Sequence, residues 1–353
     1  MRILVLLDMS TFKDRTDKGI NETFPGAEVQ YLRWPPDTLE SFNRENLNIE
    51  KNGAEAGTPP LEIFKVLAEF DPEVLITHFT PVTKAVIEKA KSLEVICCLR
   101  GGVENVNVEA ATIKNVPVFN NAGRTANAVA EFTVGLMLAA SRNIGKGHHY
   151  VLTGKWWRPE TRPSEIYGCT VGFIGFGNIA QKVSERLQGF KINLLVCDPY
   201  APEDVITKYG AKQVALKELL AASDYVSLHA RLTSETKCII GEEELKLMKP
   251  TSYLINTARA GLIDETALVN ALKNQQIKGA ALDVFWKEPL DDDASIKEME
   301  NITLTPHLAG YTIETSLRTI SLSLENLKEF METNQSRSIV NFNSSQQSEI
   351  AKN

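Results

Sequence analysis

Residues 171–180 read VGFIGFGNIA, and the structure of the surrounding region can be inferred from this stretch. The apolar run 171–174 leads directly into Gly175 and Gly177, and a helix-like pattern follows, with apolar residues at every fourth position over 179–187. The segment INLLVCD (192–198) then reads as a second strand, and it ends at Asp198, 23 residues after Gly175. A strand, a G-x-G-x-x-A turn, a helix, a strand and an acid in this order predict a dinucleotide-binding unit.

Each residue type of this turn has a physical reason. Gly175 permits a tight turn, and Gly177 lets the backbone approach a pyrophosphate where a Cβ would intervene. Ala180 still allows close packing of helix on strand, and the helix N-terminus offers its N–H groups to the phosphates. Asp198 is suited to accept hydrogen bonds from ribose hydroxyls, and its charge favours NAD over NADP. The alternative is a glycine turn without a ligand, with Asp198 as a solvated carboxylate.

The composition is that of a globular protein of about two domains, with 43% apolar and 24% charged residues among 353. A net charge of −7 disfavours nucleic acid or an anionic membrane as the main partner. The apolar run 3–7 is too short for a signal peptide, and no window reaches the length of a membrane span. The five cysteines have no metal-ligand spacing, which predicts free thiols in the cytoplasm and no metal site.

Strand-like runs alternate with helix-like segments from about residue 62 onward, which predicts an α/β fold with mostly parallel sheets. Residues 35–60 are polar and rich in proline and glycine, and we expect them to form a long surface loop. Residues 126–143 read as a helix that is apolar on most sides and therefore buried, between domains or between subunits. We place a domain boundary near residue 125 and a return crossing near residue 310.

A nicotinamide cofactor moves a hydride, so the protein must supply an acid or base for the accompanying proton and a cation for an anionic substrate. Ligands of open α/β sheets bind beyond the carboxyl ends of strands, which selects His78, His229 and His307 among the five histidines. The same criterion selects Arg259 and the segment AALDVFWKEPL (280–290). Each of these residues also has an ordinary alternative as a packed or solvated strand-end residue.

Four motifs together, VGFIGFGNIA, NTARAGLID, AALDVFWKEPL and TPHLAG, resemble the D-isomer-specific 2-hydroxyacid dehydrogenase family, including phosphoglycerate dehydrogenases, over residues 60–330. The resemblance implies two doubly wound parallel-sheet lobes with a cleft between them. Residues 1–125 plus 311–353 would form a flavodoxin-like substrate lobe, and residues 126–310 a Rossmann NAD lobe. It also implies a homodimer that pairs through the NAD lobe.

The resemblance further implies a catalytic set of Arg259, Glu288 and His307. His307 would exchange the hydroxyl proton while C2 of a D-2-hydroxy acid exchanges its hydride, Glu288 would raise the pKa of His307, and Arg259 would bind the substrate carboxylate. Backbone N–H groups of Arg100, Gly101 and Gly102 are candidate substrate contacts. The candidate NAD contacts are Gly175, Gly177, Asn178, Ile179, Asp198, His229, Thr257, Ala258 and Asp283.

Three positions depart from the family's usual pattern. Ala180 and Ala260 stand where glycine is commoner, and both are small enough to preserve function. Arg231 stands where many relatives carry proline, and it would either bind a second anionic group of the substrate or face solvent. The leading hypothesis is an NAD-dependent dehydrogenase of a small anionic acid that the sequence does not identify. The rivals are an NAD-sensing, corepressor-like regulator and a hydrolase of adenosyl thioethers, whose lysine and aspartate motifs we do not find.

Overall fold

Short apolar strands alternate with helices along the chain, and a computed structural model, which describes residues 1–9, 11, 13–160, 162–343 and 346–347, assembles them into two units. The first unit comprises Met1–Arg124 and Thr312–Asn353, and the second comprises Thr125–Tyr311. Both units are α/β, and every strand pairing within their two sheets is parallel, as the sequence predicts.

The first unit is built on a five-stranded sheet. Its strands are β1 (Arg2–Leu7), β2 (Glu28–Arg33), β3 (Val74–Thr77), β4 (Val95–Cys98) and β5 (Val118–Phe119). Its helices before residue 125 are α1 (Lys13–Thr23), α2 (Leu39–Asn52), α3 (Ile63–Glu69), α4 (Lys84–Lys89) and α5 (Val108–Ile113). The strand order β2-β1-β3-β4-β5 is the flavodoxin-like order, which confirms the predicted class of this unit.

The second unit is built on a seven-stranded sheet. Its strands are β6 (Thr170–Ile174), β7 (Asn193–Cys197), β8 (Ala211–Gln213), β9 (Tyr225–Leu228), β10 (Tyr253–Asn256), β11 (Gly279–Leu282) and β12 (Ile302–Leu304). Its helices are α6 (Ala126–Ser141), α7 (Ile144–Leu152), α8 (Asn178–Leu187), α9 (Glu203–Lys208), α10 (Leu216–Ala222), α11 (Glu242–Leu247) and α12 (Glu265–Lys273). The order β12-β11-β10-β9-β6-β7-β8 is the Rossmann order with one added strand, as predicted.

The chain then returns to the first unit through α13 (Ile313–Thr333). Alternate residues of β1 face opposite sides of the sheet, so Ile3 packs in one core with Leu324 of α13, while Leu4 packs in the core on the other side. Each face of the sheet is therefore covered, which explains why the strands read as continuous apolar runs.

The expectation of a long loop over residues 35–60 is wrong, because α2 and a short 3-10 helix (Ala54–Ala56) lie there. A capping box begins α2, since the Ser41 N–H donates to Thr38 Oγ1 (3.1 Å) and the Thr38 N–H donates to Ser41 Oγ (3.2 Å). Phe42 and Ile49, seven residues apart, bury one face of this mostly polar helix.

The predicted helix over 126–143 is observed as α6, and its residues Leu136, Met137 and Ala140 pack in a core of the second unit. Among the residues that the structure describes, no helix combines the length and the apolar character of a membrane-spanning segment. Within those same ranges, no three histidine, cysteine or acidic side chains are grouped as metal ligands would be.

Candidate active site

The turn between β6 and α8 contains two glycines, and a different structural feature explains the glycine at each position. Gly175 has φ +88°, and a Cβ there would lie 2.6 Å from the backbone nitrogen of Ala230, so the turn tolerates no side chain. Gly177 precedes the first residue of α8, and a Cβ there would meet nothing within 4 Å. The open space beside Gly177 and the free N–H groups of a helix N-terminus fit the pyrophosphate of a dinucleotide.

Asp198 follows β7 directly and fixes the glycine turn. Its Oδ2 accepts the Phe176 N–H (2.7 Å), and its Oδ1 accepts the N–H groups of Tyr200 (2.8 Å) and Ala201 (3.2 Å). A carboxylate has about four acceptor positions, so about one is left for a ribose hydroxyl. The sequence did not predict that Asp198 would also hold the glycine turn in place, because Phe176 lies far from Asp198 along the chain.

The segment after β10 holds three of the predicted site residues, Thr257, Ala258 and Arg259. The Asn256 side chain pins this segment, since Oδ1 accepts the Ala258 N–H (3.0 Å) and Nδ2 donates to the Arg259 carbonyl (3.0 Å). The hydroxyls of Thr257 and Thr133 are 2.9 Å apart. The backbone is therefore fixed, while the Arg259 side chain is exposed and able to meet an anion. Asn256 was not predicted, although a buried asparagine at a strand end could have indicated it.

Asp283 directly follows β11 and is fully buried. Its carboxylate holds the turn that contains His307. It accepts hydrogen bonds from the Thr305 hydroxyl (2.6 Å), the Leu308 N–H (2.9 Å) and the Ala309 N–H (2.8 Å). His307 lies inside this turn with φ +55°, a left-handed conformation that a non-glycine residue rarely adopts. Backbone strain of this kind persists only where the surroundings impose it, and it is concentrated at functional sites.

His307 and Glu288 form the central pair of the site. His307 Nδ1 lies 2.7 Å from Glu288 Oε2, and Glu288 Oε1 accepts the Phe285 N–H (2.9 Å). The hydrogen bond to Glu288 raises the pKa of His307, although burial acts against it. Burial acts to raise the pKa of Glu288, but the hydrogen bonds from His307 and Phe285 outweigh it and the net pKa is lowered. The positive charge of Arg259 also acts to lower both pKa values.

His229 makes contacts typical of a structural residue. Its Nε2 lies 2.9 Å from the Ser227 hydroxyl, and its ring packs 5.4 Å from the Phe173 ring centroid. Burial lowers the pKa of His229 to about 3, so the ring is neutral at neutral pH. Its backbone lies against Gly175, which places it at the glycine turn.

The candidate substrate contacts lie in the first unit, after β4. Arg100 is buried, forms ion pairs with Glu50 and Glu104, and stacks 4.7 Å from the Phe79 ring centroid. Its side chain is therefore engaged within the unit. Gly101 is exposed and Gly102 half-buried, and a Cβ at Gly101 would meet nothing within 4 Å.

Arg231, the departure from the family pattern, is exposed after β9 in the second unit. Its carbonyl accepts a hydrogen bond from the Thr236 hydroxyl.

Comparison with known protein families gives a match within the second unit. The family model described as "D-isomer specific 2-hydroxyacid dehydrogenase, NAD binding domain" matches residues 134–309. These residues lie within the second unit, which is therefore an NAD-binding domain, and NAD is confirmed as its cofactor.

Two curated relatives and one solved structure extend the match to the first unit. A D-3-phosphoglycerate dehydrogenase of Methanocaldococcus jannaschii is 39% identical over 80% of this chain, but the chain spans only 54% of that protein. A glyoxylate reductase of Korarchaeum cryptofilum is 38% identical over 74% of this chain and 80% of its own length. The structure of a glyoxylate reductase from Paecilomyes thermophila has a TM-score of 0.74 at 27% identity, and the match covers 96% of this chain and 98% of that one.

Proposed function

This chain belongs to the D-isomer specific 2-hydroxyacid dehydrogenase family, as its four motifs predict, and on that premise we propose that it interconverts a D-2-hydroxy acid and its 2-oxo acid with NAD. The observation that carries the proposal is the 2.7 Å contact between His307 Nδ1 and Glu288 Oε2, a pair whose pKa values the Arg259 charge also influences. These are the residue types that hydride transfer to an acid substrate requires from the protein.

We assign the dinucleotide to the glycine turn and to the carboxyl ends of the strands of the second unit. When bound, NAD supplies the site that takes or gives the hydride. The residues that would hold it are Gly175, Gly177, Asn178, Ile179, Asp198, His229, Thr257, Ala258 and Asp283. The Asp198 carboxylate supports NAD over NADP, because it would repel a 2′-phosphate.

His307 is the proposed acid and base. In the oxidative direction its Nε2 takes the hydroxyl proton of the substrate, and in the reductive direction the imidazolium returns it to the 2-oxo oxygen. Glu288 stabilises the imidazolium and fixes the ring through Nδ1, which leaves Nε2 for the substrate. Arg259 binds the carboxylate and polarises the carbonyl, a task that suits a planar guanidinium.

For the first unit, we propose that backbone N–H groups of Arg100, Gly101 and Gly102 bind the substrate carboxylate. The engagement of the Arg100 side chain by Glu50 and Glu104 supports a role for the main chain. The relatives described above carry enzyme names, so an NAD-sensing regulator is not the favoured alternative.

The experiment is NADH oxidation with a panel of 2-oxo acids, with His307→Ala as the decisive variant. We expect wild-type turnover with at least one acid, and a loss of about 10²–10⁴-fold in kcat for the variant, because a general acid contributes about that factor. Titration of the variant with NADH, followed by fluorescence, is expected to give the wild-type affinity. Turnover of the variant at the wild-type rate would remove His307 from its proposed role.

We also propose that the protein is a homodimer that pairs through α7. None of the nine residues of α7, all of which the structure describes, is buried, although Ile144, Val151 and Leu152 are apolar. Val151 is 60% exposed, Leu152 73%, and Trp156, just after the helix, 86%. Exposed apolar surface of this extent marks an interaction site, and a second copy of the chain is the proposed partner.

A cytoplasmic location is part of the same proposal. All five cysteines are free thiols, which is the usual state in a reducing compartment.

A further inference from the structure

The loop after β9, residues 229–237, borders the glycine turn of the second unit. In the seven-stranded sheet β6 lies between β9 and β7, so the segments that follow these two strands flank the turn that follows β6. A Cβ on Gly175 would lie 2.6 Å from the backbone nitrogen of Ala230, and Arg231 is the next residue. The loop is therefore in direct contact with the turn to which the proposed function assigns the dinucleotide.

The far end of the same loop meets the segment after β7. The Tyr200 hydroxyl lies 3.4 Å from Glu235 Oε2, and the Tyr200 N–H donates to Asp198 Oδ1 (2.8 Å). Because β6 separates β7 from β9, this contact joins the two sides of the crevice beyond the carboxyl end of β6. Residues 230–235 thus lie along the crevice in which such sheets bind a dinucleotide.

The backbone of this loop is fixed, whereas the side chain of Arg231 is not engaged. The Arg231 carbonyl accepts the Thr236 hydroxyl, and the Thr233 N–H donates to Thr236 Oγ1 (2.8 Å). The Arg231 side chain is exposed, and no residue that the structure describes forms a hydrogen bond or an ion pair with its guanidinium. A guanidinium on a fixed backbone beside the turn is therefore available to a ligand.

The charges around the glycine turn favour a cation at this position. Residues 175–181 read GFGNIAQ and contain no charged side chain, while the carboxylates of Asp198 and Glu235 lie in the segments that flank the turn. The N–H groups of a helix N-terminus attract a pyrophosphate, but these two carboxylates oppose it. A guanidinium beside the turn offsets the carboxylates, and its planar fork matches phosphate oxygens.

Lys237, a second basic residue of the loop, has a different position. Its N–H donates to the Thr233 carbonyl (3.0 Å), and the N–H of the next residue, Cys238, donates to the Gly261 carbonyl (2.8 Å). Gly261 follows β10, which lies on the other side of β9 from β6. Lys237 therefore lies toward β10 rather than toward the glycine turn, and it offers a matched control.

We propose that the Arg231 guanidinium binds the pyrophosphate of NAD. This inference rests on the proposed function, which assigns the dinucleotide to the glycine turn. Arg231 is then a cofactor-binding residue of this chain, at a position where the family pattern has proline. Its partner is the dinucleotide rather than a second anionic group of the substrate.

The test measures the Kd of NADH by fluorescence titration of the wild-type protein and three variants. We expect Arg231→Gln to weaken NADH binding about tenfold, because it removes hydrogen bonds from a charged donor to a charged acceptor. Arg231→Lys keeps the charge and is expected to lose less affinity. Lys237→Gln removes the same charge from the same loop and is expected to change Kd by less than about twofold.

Two further measurements identify the group that Arg231 binds. ADP-ribose contains the pyrophosphate but no nicotinamide, and calorimetry is expected to show the same loss of affinity for it in Arg231→Gln. Added salt is expected to weaken NADH binding to the wild-type protein more than to Arg231→Gln, because salt screens an ion pair. The ratio of the NADPH and NADH affinities is expected to be the same in both proteins, because the 2′-phosphate is not the partner.

The outcomes separate this inference from the proposed function. Loss of NADH affinity in Arg231→Gln, with no 2-oxo acid reduced by the wild-type protein, would support the role of Arg231 and contradict the proposed reaction. If Arg231→Gln binds NADH and ADP-ribose as tightly as the wild-type protein, only the role of Arg231 is overturned, even if the KM of a 2-oxo acid rises. A loss confined to NADPH, or an equal loss in Lys237→Gln, would overturn it as well.

Discussion

At the scale of single residues, the chemistry of the proposed site depends on how Glu288 tunes His307. Their hydrogen bond raises the pKa of the imidazole, and the half-exposed ring keeps its second nitrogen accessible. Reduction of a 2-oxo acid needs the protonated ring, so the rate of reduction falls as the pH rises through the pKa of His307. The Glu288 carboxylate therefore allows reduction of the 2-oxo acid to continue to a higher pH.

Glu288→Gln is expected to lower the pKa of His307, because the variant removes the negative charge that stabilises the imidazolium. The decline of kcat/KM for reduction should then occur at a pH lower by about one unit. The pH profile of NADH oxidation measures this shift. Glu300→Gln is the matched control, since it removes the same charge at an exposed position paired only with Lys146 among the described residues. If the pH profile of Glu288→Gln coincided with that of the wild-type protein, the proposed effect of Glu288 on the pKa of His307 would be wrong.

At the scale of elements, the strand, turn and helix around residues 171–187 follow from the sequence because their determinants are local. Apolar runs, glycine spacing and the four-residue recurrence all lie within one short segment. Helix α2 was not predicted, because its composition is polar and only Phe42 and Ile49 are buried, in a small core with Trp34 and Phe79. The hydrogen bonds between Asp283 and the turn that contains His307 could not be predicted either. They join two segments that no sequence pattern relates to each other.

The two glycines of the turn offer a matched pair of variants. Gly175→Ala is expected to lower the free energy of unfolding by about 2 kcal/mol or more, because the new Cβ meets the Ala230 backbone and φ is +88°. Gly177→Ala is expected to change it by less than about 0.5 kcal/mol, since its Cβ meets nothing, yet to weaken NADH binding about tenfold. Urea denaturation without NADH and fluorescence titration measure the two quantities. Equal stability of the two variants would contradict the conclusion that only position 175 excludes a side chain.

At the scale of the whole molecule, the second unit presents apolar surface on α7 that its own core does not cover. Sedimentation velocity is expected to give twice the chain mass of 39.1 kDa for the wild-type protein. Leu152→Asp is expected to give the mass of one chain, because a buried charge without a partner opposes association. Ile113→Asp, at an equally exposed apolar position of the first unit, should remain dimeric. A wild-type protein of single-chain mass would overturn the proposed dimer.

The first unit is assembled from two stretches of chain that are separated by the whole of the second unit. During synthesis, the ribosome therefore delivers residues 125–311 complete before it delivers α13, which supplies Leu324 and Leu327 to the core around Ile3 and Phe119. The nascent NAD-binding unit then holds every segment that its own sheet needs, whereas one face of the earlier unit's sheet is covered only in part, by Ile20 of α1, until α13 emerges. Translation therefore delivers α13, which completes the first unit, only after the whole of the second unit.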